Sequence, residues 1–304
     1  MELEPEELYE VDSDLPDLRG AVLLQQLDGF MDAGSAGRTL SEHLLGTLEH
    51  RVVARFDVDR LIDYRSRRPV MTFVTDHWAD YDAPELAVHL LSDSVGTDFL
   101  LLTGLEPDHE WERFSAAVQQ LIEKWELRLT VTYHGIPMGA PHTRPLGVTA
   151  HGSRTELLVG HQPLFNRIQV PASVSALLEY RLGQAGHDAL GFAAHVPHYL
   201  ANATYPTAAL TLLNSVAQAT QLSLPEDALR EAARRTEAEI NKQVEDSAEV
   251  AEVVRGLERQ YDTFAEASGR QSLLIDDQGI PTAEELGNEF EKFLAEQGNP
   301  DSRD

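Results

Sequence analysis

The chain contains no cysteine, which excludes disulfides, thiolate nucleophiles and cysteine metal sites, and nothing in it argues for an oxidising compartment. It has no run of 18 apolar residues, so no segment reads as a membrane-spanning helix. It is also poor in base. Lys and Arg number 24 against 51 Asp and Glu, a formal net charge of −27 over 304 residues. The few bases gather into no patch, and such a surface repels nucleic acid and anionic lipid, so neither is an expected partner. The opening residues, MELEPEELYEVDSDLPD, have no basic or apolar stretch of the secretory kind. A cytoplasmic location is expected.

The acid is concentrated at the ends. Residues 1–17 carry eight acids and no base, and residues 225–304 carry 21 acids against nine bases. These stretches read as a solvated lead-in and as outer helix faces. Between them, segments 21–27, 51–57, 70–74, 97–103, 128–133, 146–149 and 189–195 are short, rich in Val, Leu, Phe or Thr, and bounded by Gly, Pro or Asp, as strands are. Helix patterns fall between them at 38–48, 110–125, 174–182 and 208–219. In the second, Phe114, Val118, Leu121 and Trp125 form one apolar stripe. Strands alternating with helices predict an α/β domain, its helices on both faces of a largely parallel sheet.

From residue 220 the pattern changes. Ser223-Leu224-Pro225-Glu226 has the form of a capping box with proline in the first turn. Leu229, Ala233, Thr236, Ile240 and Val244 then step by three or four. A second start near Asp246 to Glu249 opens another stripe, Val250, Val253, Val254, Leu257, Tyr261 and Phe264, so two antiparallel helices are expected. A linker at Ser268-Gly269 and a third box at Thr282-Ala283-Glu284-Glu285 predict a last helix bearing Leu286, Phe290 and Phe293. The expected units are an acidic lead-in (1–19), an α/β domain (20–221), a helical hairpin (222–268) and a linker with a C-terminal acidic helix (269–304). This surplus of apolar helix face predicts a homo-oligomer, with the hairpin at the interface or capping a cleft.

Two stretches are candidates for a site. Gly29-Phe30-Met31-Asp32-Ala33-Gly34-Ser35-Ala36-Gly37 joins the first strand to a helix. Glycines let backbone approach closely, and a helix N-terminus offers unpaired N–H groups. The spacing is neither a P-loop nor G-x-G-x-x-G, and Asp28 and Asp32 oppose a phosphate. A tight packing turn, a ligand cradle built on Asp32, Gly34 and Gly37, and a metal-bridged site all remain open. The other stretch, Pro141-His142-Thr143-Arg144-Pro145, is stiffened by its prolines. His142 and Thr143 can hydrogen-bond there, and Arg144 offers a planar fork to an anion; the alternative is Arg144 paired with one of the chain's own acids. Tyr199 to Pro206 is a third rim.

Catalytic signatures are lacking. His134, His142, His151 and His161 are spaced too widely for a zinc site, and Pro197 breaks the His195–His198 pair, so no metal is expected. Thr149-Ala150-His151-Gly152-Ser153 is no nucleophile elbow. Asp76, Asp80 and Asp82 around Trp78 read like an ordinary acidic loop. No cofactor is implied.

The G-F-x-D-A-G turn at 29–34, P-H-T-R-P at 141–145 and H-V-P-H-Y-L at 195–200, in this order, resemble the proteasome assembly chaperone 2 family, bacterial branch, over about residues 20–265. The resemblance implies a three-layer α/β/α mixed sheet like that of purine nucleoside phosphorylases and hydrolases. It also implies that 29–37 and 142–144 lie near one another, and that proteasome subunits are partners. Archaeal relatives dock through a C-terminal hydrophobic-Tyr-any tripeptide, whereas the sequence ends Asn299-Pro300-Asp301-Ser302-Arg303-Asp304, so any docking is expected through another surface. A protein-interaction or assembly factor is the preferred reading. The alternative is an enzyme or binding protein for a small anionic or nucleoside-like ligand at the sheet edge (phosphorylase/hydrolase-like or ligase-like). There Arg144 would hold an anion, and Asp32 or His142 would move protons.

Overall fold

The structure, a computed structural model, describes residues 4–158, 160–161 and 167–271. Ten strands and seven helices are described: β1 (Tyr9–Val11), β2 (Val22–Asp28), α1 (Ala36–Thr47), β3 (His50–Phe56), α2 (Val58–Leu61), β4 (Met71–Val74), β5 (His77–Tyr81), β6 (Leu86–Ser92), β7 (Asp98–Leu105), α3 (Trp111–Lys124), β8 (Leu129–Met138), β9 (Val148–Gly152), α4 (Val174–Ala185), β10 (Ala189–Pro197), α5 (Pro206–Thr220), α6 (Asp227–Glu245) and α7 (Ala248–Gln271). Eight strands form one sheet in the order β1-β3-β6-β7-β2-β8-β10-β9, and β4 pairs only with β5.

The sheet is mixed rather than largely parallel. The central pairings β7/β2, β2/β8 and β8/β10 are parallel, while β1/β3, β3/β6, β6/β7 and β9/β10 are antiparallel. Helices cover both faces, so central strands are buried on both sides and read as continuous apolar runs; β2 begins Val22-Leu23-Leu24 for this reason. Leu23, Leu100 and Leu102 pack with Phe114, Val118 and Leu178 on the α3/α4 face. Val22, Leu24, Val131 and Phe192 pack with Leu40, Leu44, Leu212 and Leu229 on the α1/α5/α6 face.

Several expectations are corrected. The acidic lead-in is part of the fold: Leu8 is fully buried, and β1 pairs with β3. The stretch around Trp78 is the β4–β5 ribbon, not a loop. β6 was not expected, although Leu86-Ala87-Val88 and Leu90-Leu91 are apolar; His89 interrupts the run. Ser223 does not cap α6. Its backbone instead pairs with the β6–β7 turn, through Ser223 N–H to Asp93 Oδ2 at 2.8 Å and Ser94 N–H to the Ser223 carbonyl at 3.0 Å. The two-helix hairpin is present, its second start made by Ser247, and α7 continues past Ser268-Gly269 to Gln271. The Phe264 side chain and residues 272–304, with the box at Thr282 and Leu286, Phe290 and Phe293, lie outside the described residues.

Candidate functional site

The glycine turn is built for close packing. Asp32 is half-buried, and its carboxylate accepts three backbone N–H groups: Gly37 and Gly135 at 2.9 Å on Oδ1, and Arg38 at 3.0 Å on Oδ2. Two of these are orphan donors of the first turn of α1, so Asp32 caps that helix from outside it. Burial pushes its carboxyl upward, against the pull of the three N–H groups and with Asp28 adding to the rise. Asp28 is paired with Arg38 at 3.0 Å and accepts from Gln26.

Each glycine that matters has a steric reason. Gly34 has φ +69°, and a Cβ there would lie 3.1 Å from the Tyr205 Cβ; its N–H donates to Ala201 O and its carbonyl accepts from Tyr205 N–H, both at 2.8 Å. A Cβ on Gly37 would stand 2.8 Å from the Tyr133 carbonyl. Gly29 makes room for Glu106, whose Oε1 accepts the first N–H of α4, from Val174, at 2.7 Å.

The second stretch, between β8 and β9, is a clasp on the helical hairpin. His142 N–H and ring Nδ1 both meet the Tyr199 hydroxyl, at 2.8 and 2.7 Å, and its Nε2 donates to Asn241 Oδ1 of α6 at 3.2 Å. Thr143 Oγ1 donates to Glu258 Oε1 of α7 at 2.6 Å. Arg144 forks onto Asp262, Nε to Oδ1 at 2.8 Å and Nη2 to Oδ2 at 2.7 Å, while Nη1 reaches Glu258 at 3.1 Å. Tyr261 completes the set by donating to the Pro145 carbonyl at 3.0 Å. These acids hold the Arg144 guanidinium charged more firmly than usual, Asp262 most of all.

Among the described residues, no hydrogen bond or ion pair joins 29–37 directly to 142–144. The segment 198–205 bridges them, with Tyr199 on His142 and with Ala201 and Tyr205 on Gly34. Asp32 therefore faces neither Arg144 nor His142. Glu258 and Asp262 were not foreseen as partners, because one acid among 51 carries no local signal of which base it meets, and Asn241 meets His142 only through the packing of α6.

Of the spaced histidines, His134 and His151 share the α4-facing side of the sheet, and Gly191 leaves room for the His151 ring. His151 Nδ1 lies 2.9 Å from both Glu179 oxygens and hydrogen-bonds to Oε1. Burial, aided by His151, pushes the His134 imidazole down to about 4. His195 Nε2 lies 2.8 Å from Thr149 Oγ1. Among the described residues, no group of three His, Asp or Glu is arranged around a metal position.

Residues 26–244 match the PAC2 family, a span holding the glycine turn, the clasp and the bridging segment. The chain belongs to the PAC2 family. Solved structures resemble it over most of its length. A Mycobacterium tuberculosis protein of unknown function superposes with TM-score 0.84 at 50 % identity, over 90 % of this chain and 95 % of that one. A Corynebacterium glutamicum protein of unknown function gives 0.82 at 40 %, over 86 % and 98 %. A Mycobacterium tuberculosis protein described as a proteasome-assembly chaperone homologue gives 0.71 at 25 %, over 77 % and 99 %. No protein of curated function matches.

Proposed function

We propose that this PAC2 protein is an assembly factor that works by protein–protein contact, with proteasome subunits as its partners. The observation that supports this reading most is that the polar groups suited to a small ligand are already used within the fold. Asp32 is filled by three backbone N–H groups, Arg144 by two carboxylates, and His142 by Tyr199 and Asn241. An anion arriving at Arg144 would have to displace Asp262. The relative described as a proteasome-assembly chaperone homologue supports the choice of partner. On this reading the clasp positions α6 and α7 as part of a docking body, the protein acts in the cytoplasm, and it is a homo-oligomer.

The test is co-purification of the tagged full chain with 20S α and β subunits from its own cell. Retention of either subunit type supports the reading, and loss of both overturns it. A thermal-shift panel of phosphate, nucleosides and nucleotides is expected to be flat; stabilisation by a panel member that Arg144→Ala abolishes would favour a small-ligand site instead.

A further inference from the structure

Val131 and Tyr133 of β8 point into the α1/α5/α6 core, so Thr132 and His134 point the other way, toward α4. In register with Thr132 lie Gln25 of β2 on one side and Gly191 of β10 on the other, and Gly191 is in turn opposite His151 of β9. Gln25, Thr132, Gly191 and His151 therefore form one row across four strands. Three strand spacings make the row about 14 Å long. Helix α4 lies over it, with Ser175 Oγ donating to Gln25 Oε1 at 3.3 Å and Glu179 accepting from His151 at 2.9 Å.

The row is a polar slot rather than a packed core. Gly191 has no side chain, and Ala193, beside His134 in register, has only a methyl group. Gln25 is 1 % exposed, yet its amide nitrogen donates to nothing among the described residues. Neither Thr132 Oγ1 nor the His134 ring has a hydrogen-bond partner among those residues. A buried polar group left unpaired costs about 1–3 kcal/mol, a cost that a polar occupant removes. The His151 side chain, 40 % exposed, stands at the mouth, and Gln25 lies at the deep end.

Charge selects the occupant. Glu179 supplies a carboxylate met by His151, and no lysine or arginine pairs with any group of the slot among the described residues. In a chain of net charge −27 such a slot draws cations and repels anions. Burial keeps the His134 imidazole neutral at ordinary pH, so its ring can accept an N–H from a cation instead of repelling it. No three ligands converge for a metal ion among the described residues. We propose that the slot binds a small hydroxylated amine of amino-sugar size, its ammonium group between Glu179 and His134 and its hydroxyls on Thr132 and Gln25. The slot lies on the opposite face of the sheet from Asp32 and the clasp. It goes beyond the proposed function and stands or falls apart from 20S contact, and the panel of phosphate, nucleosides and nucleotides offers it no ammonium group.

Calorimetric titration of the full chain with glucosamine is the test, with glucose and N-acetylglucosamine as uncharged counterparts. Saturable binding of glucosamine is expected, and each uncharged sugar should bind more weakly by about tenfold or more. No saturable binding, or equal binding of glucose, overturns the proposal, and this comparison needs no variant. Heteronuclear NMR of the histidine rings, assigned through His134→Gln and His151→Gln, reads the location. The His134 and His151 resonances should move with glucosamine; movement confined to other histidines overturns the assignment of the slot. Glu179→Gln, and separately Ala193→Leu, which fills the slot, should each weaken glucosamine by about tenfold or more while far-UV circular dichroism stays unchanged. Undiminished binding in either folded variant counts against the site.

Discussion

Arg144 holds Asp262 across 118 residues of chain, with both carboxylate oxygens engaged by one guanidinium. This contact, with Glu258 beside it, ties the second hairpin helix to the loop after β8. Arg144→Gln is expected to leave the melting of the α/β body close to wild type, yet to raise amide exchange in residues 248–262. Equal protection in both proteins would mean that apolar packing at Val254 and Leu257 suffices to hold α7.

The same pair sets an acid response. The hydrogen bonds from Arg144 hold the Asp262 carboxyl below its ordinary value. A lowered carboxyl contributes stability that is present above the unfolded value, near 4, and is lost as pH falls through the folded one. The α7 amides of wild type should therefore open below about pH 4, and Asp262→Asn should weaken that dependence on pH, Glu258 remaining as the other carboxylate on Arg144.

His134 acts over a higher window. Its folded value near 4 lies below the ordinary imidazole value because of burial. The unfolded chain takes the proton first, so this stabilisation is complete above about pH 6.5 and is lost as pH falls toward 4, on the order of 3 kcal/mol in all. His89, His195 and His198 are lowered by burial too and add to the slope. Urea unfolding between pH 4 and 7 should show a shallower pH dependence for His134→Gln than for wild type.

Asp32 separates a cap from a reactive carboxylate. An amide oxygen can replace Oδ1 on Gly37 and Gly135 but cannot replace Oδ2 on Arg38, so Asp32→Asn is expected to cost about 1 kcal/mol. Asp32→Ala strands all three N–H groups and should cost about 2–4 kcal/mol. Chemical denaturation gives both values; a silent Asp32→Ala would remove the capping role.

The glycines should rank by what blocks them. A Cβ on Gly135 would lie 2.0 Å from the Ala33 carbonyl oxygen, which is backbone and cannot swing away. Gly135→Ala should cost about 3 kcal/mol. Gly34→Ala meets only side chains and a left-handed backbone, for about 1–2 kcal/mol. The reverse order in melting experiments would contradict the packing described for the turn.

Much of the architecture was legible because it rests on short-range signals. Alternation of apolar runs with turn residues located most of the central strands, and the stripes in α3 and α6 follow from spacing alone, whereas in α7 Val254 and Leu257 are buried but Val250 and Val253 are exposed. The absence of cysteine and of long apolar runs was decisive at once, since composition needs no geometry. What escaped was non-local. Tyr9–Val11 looks like an acidic tail until β3 pairs with it, and β5 looks like an acidic loop until β4 pairs with it.

The candidate residues divide on the same line. Sequence identified 29–37 and 141–145 as unusual, because glycine and proline restrict or release the backbone wherever they stand. Whether Asp32 and Arg144 are free to act is a question about partners 100 or more residues away. Only the folded chain brings the Gly135 amide to Asp32 and Asp262 to Arg144. A hydrogen bond depends on distance in space, and the order of residues along a chain of 51 acids does not encode which one a given arginine will meet.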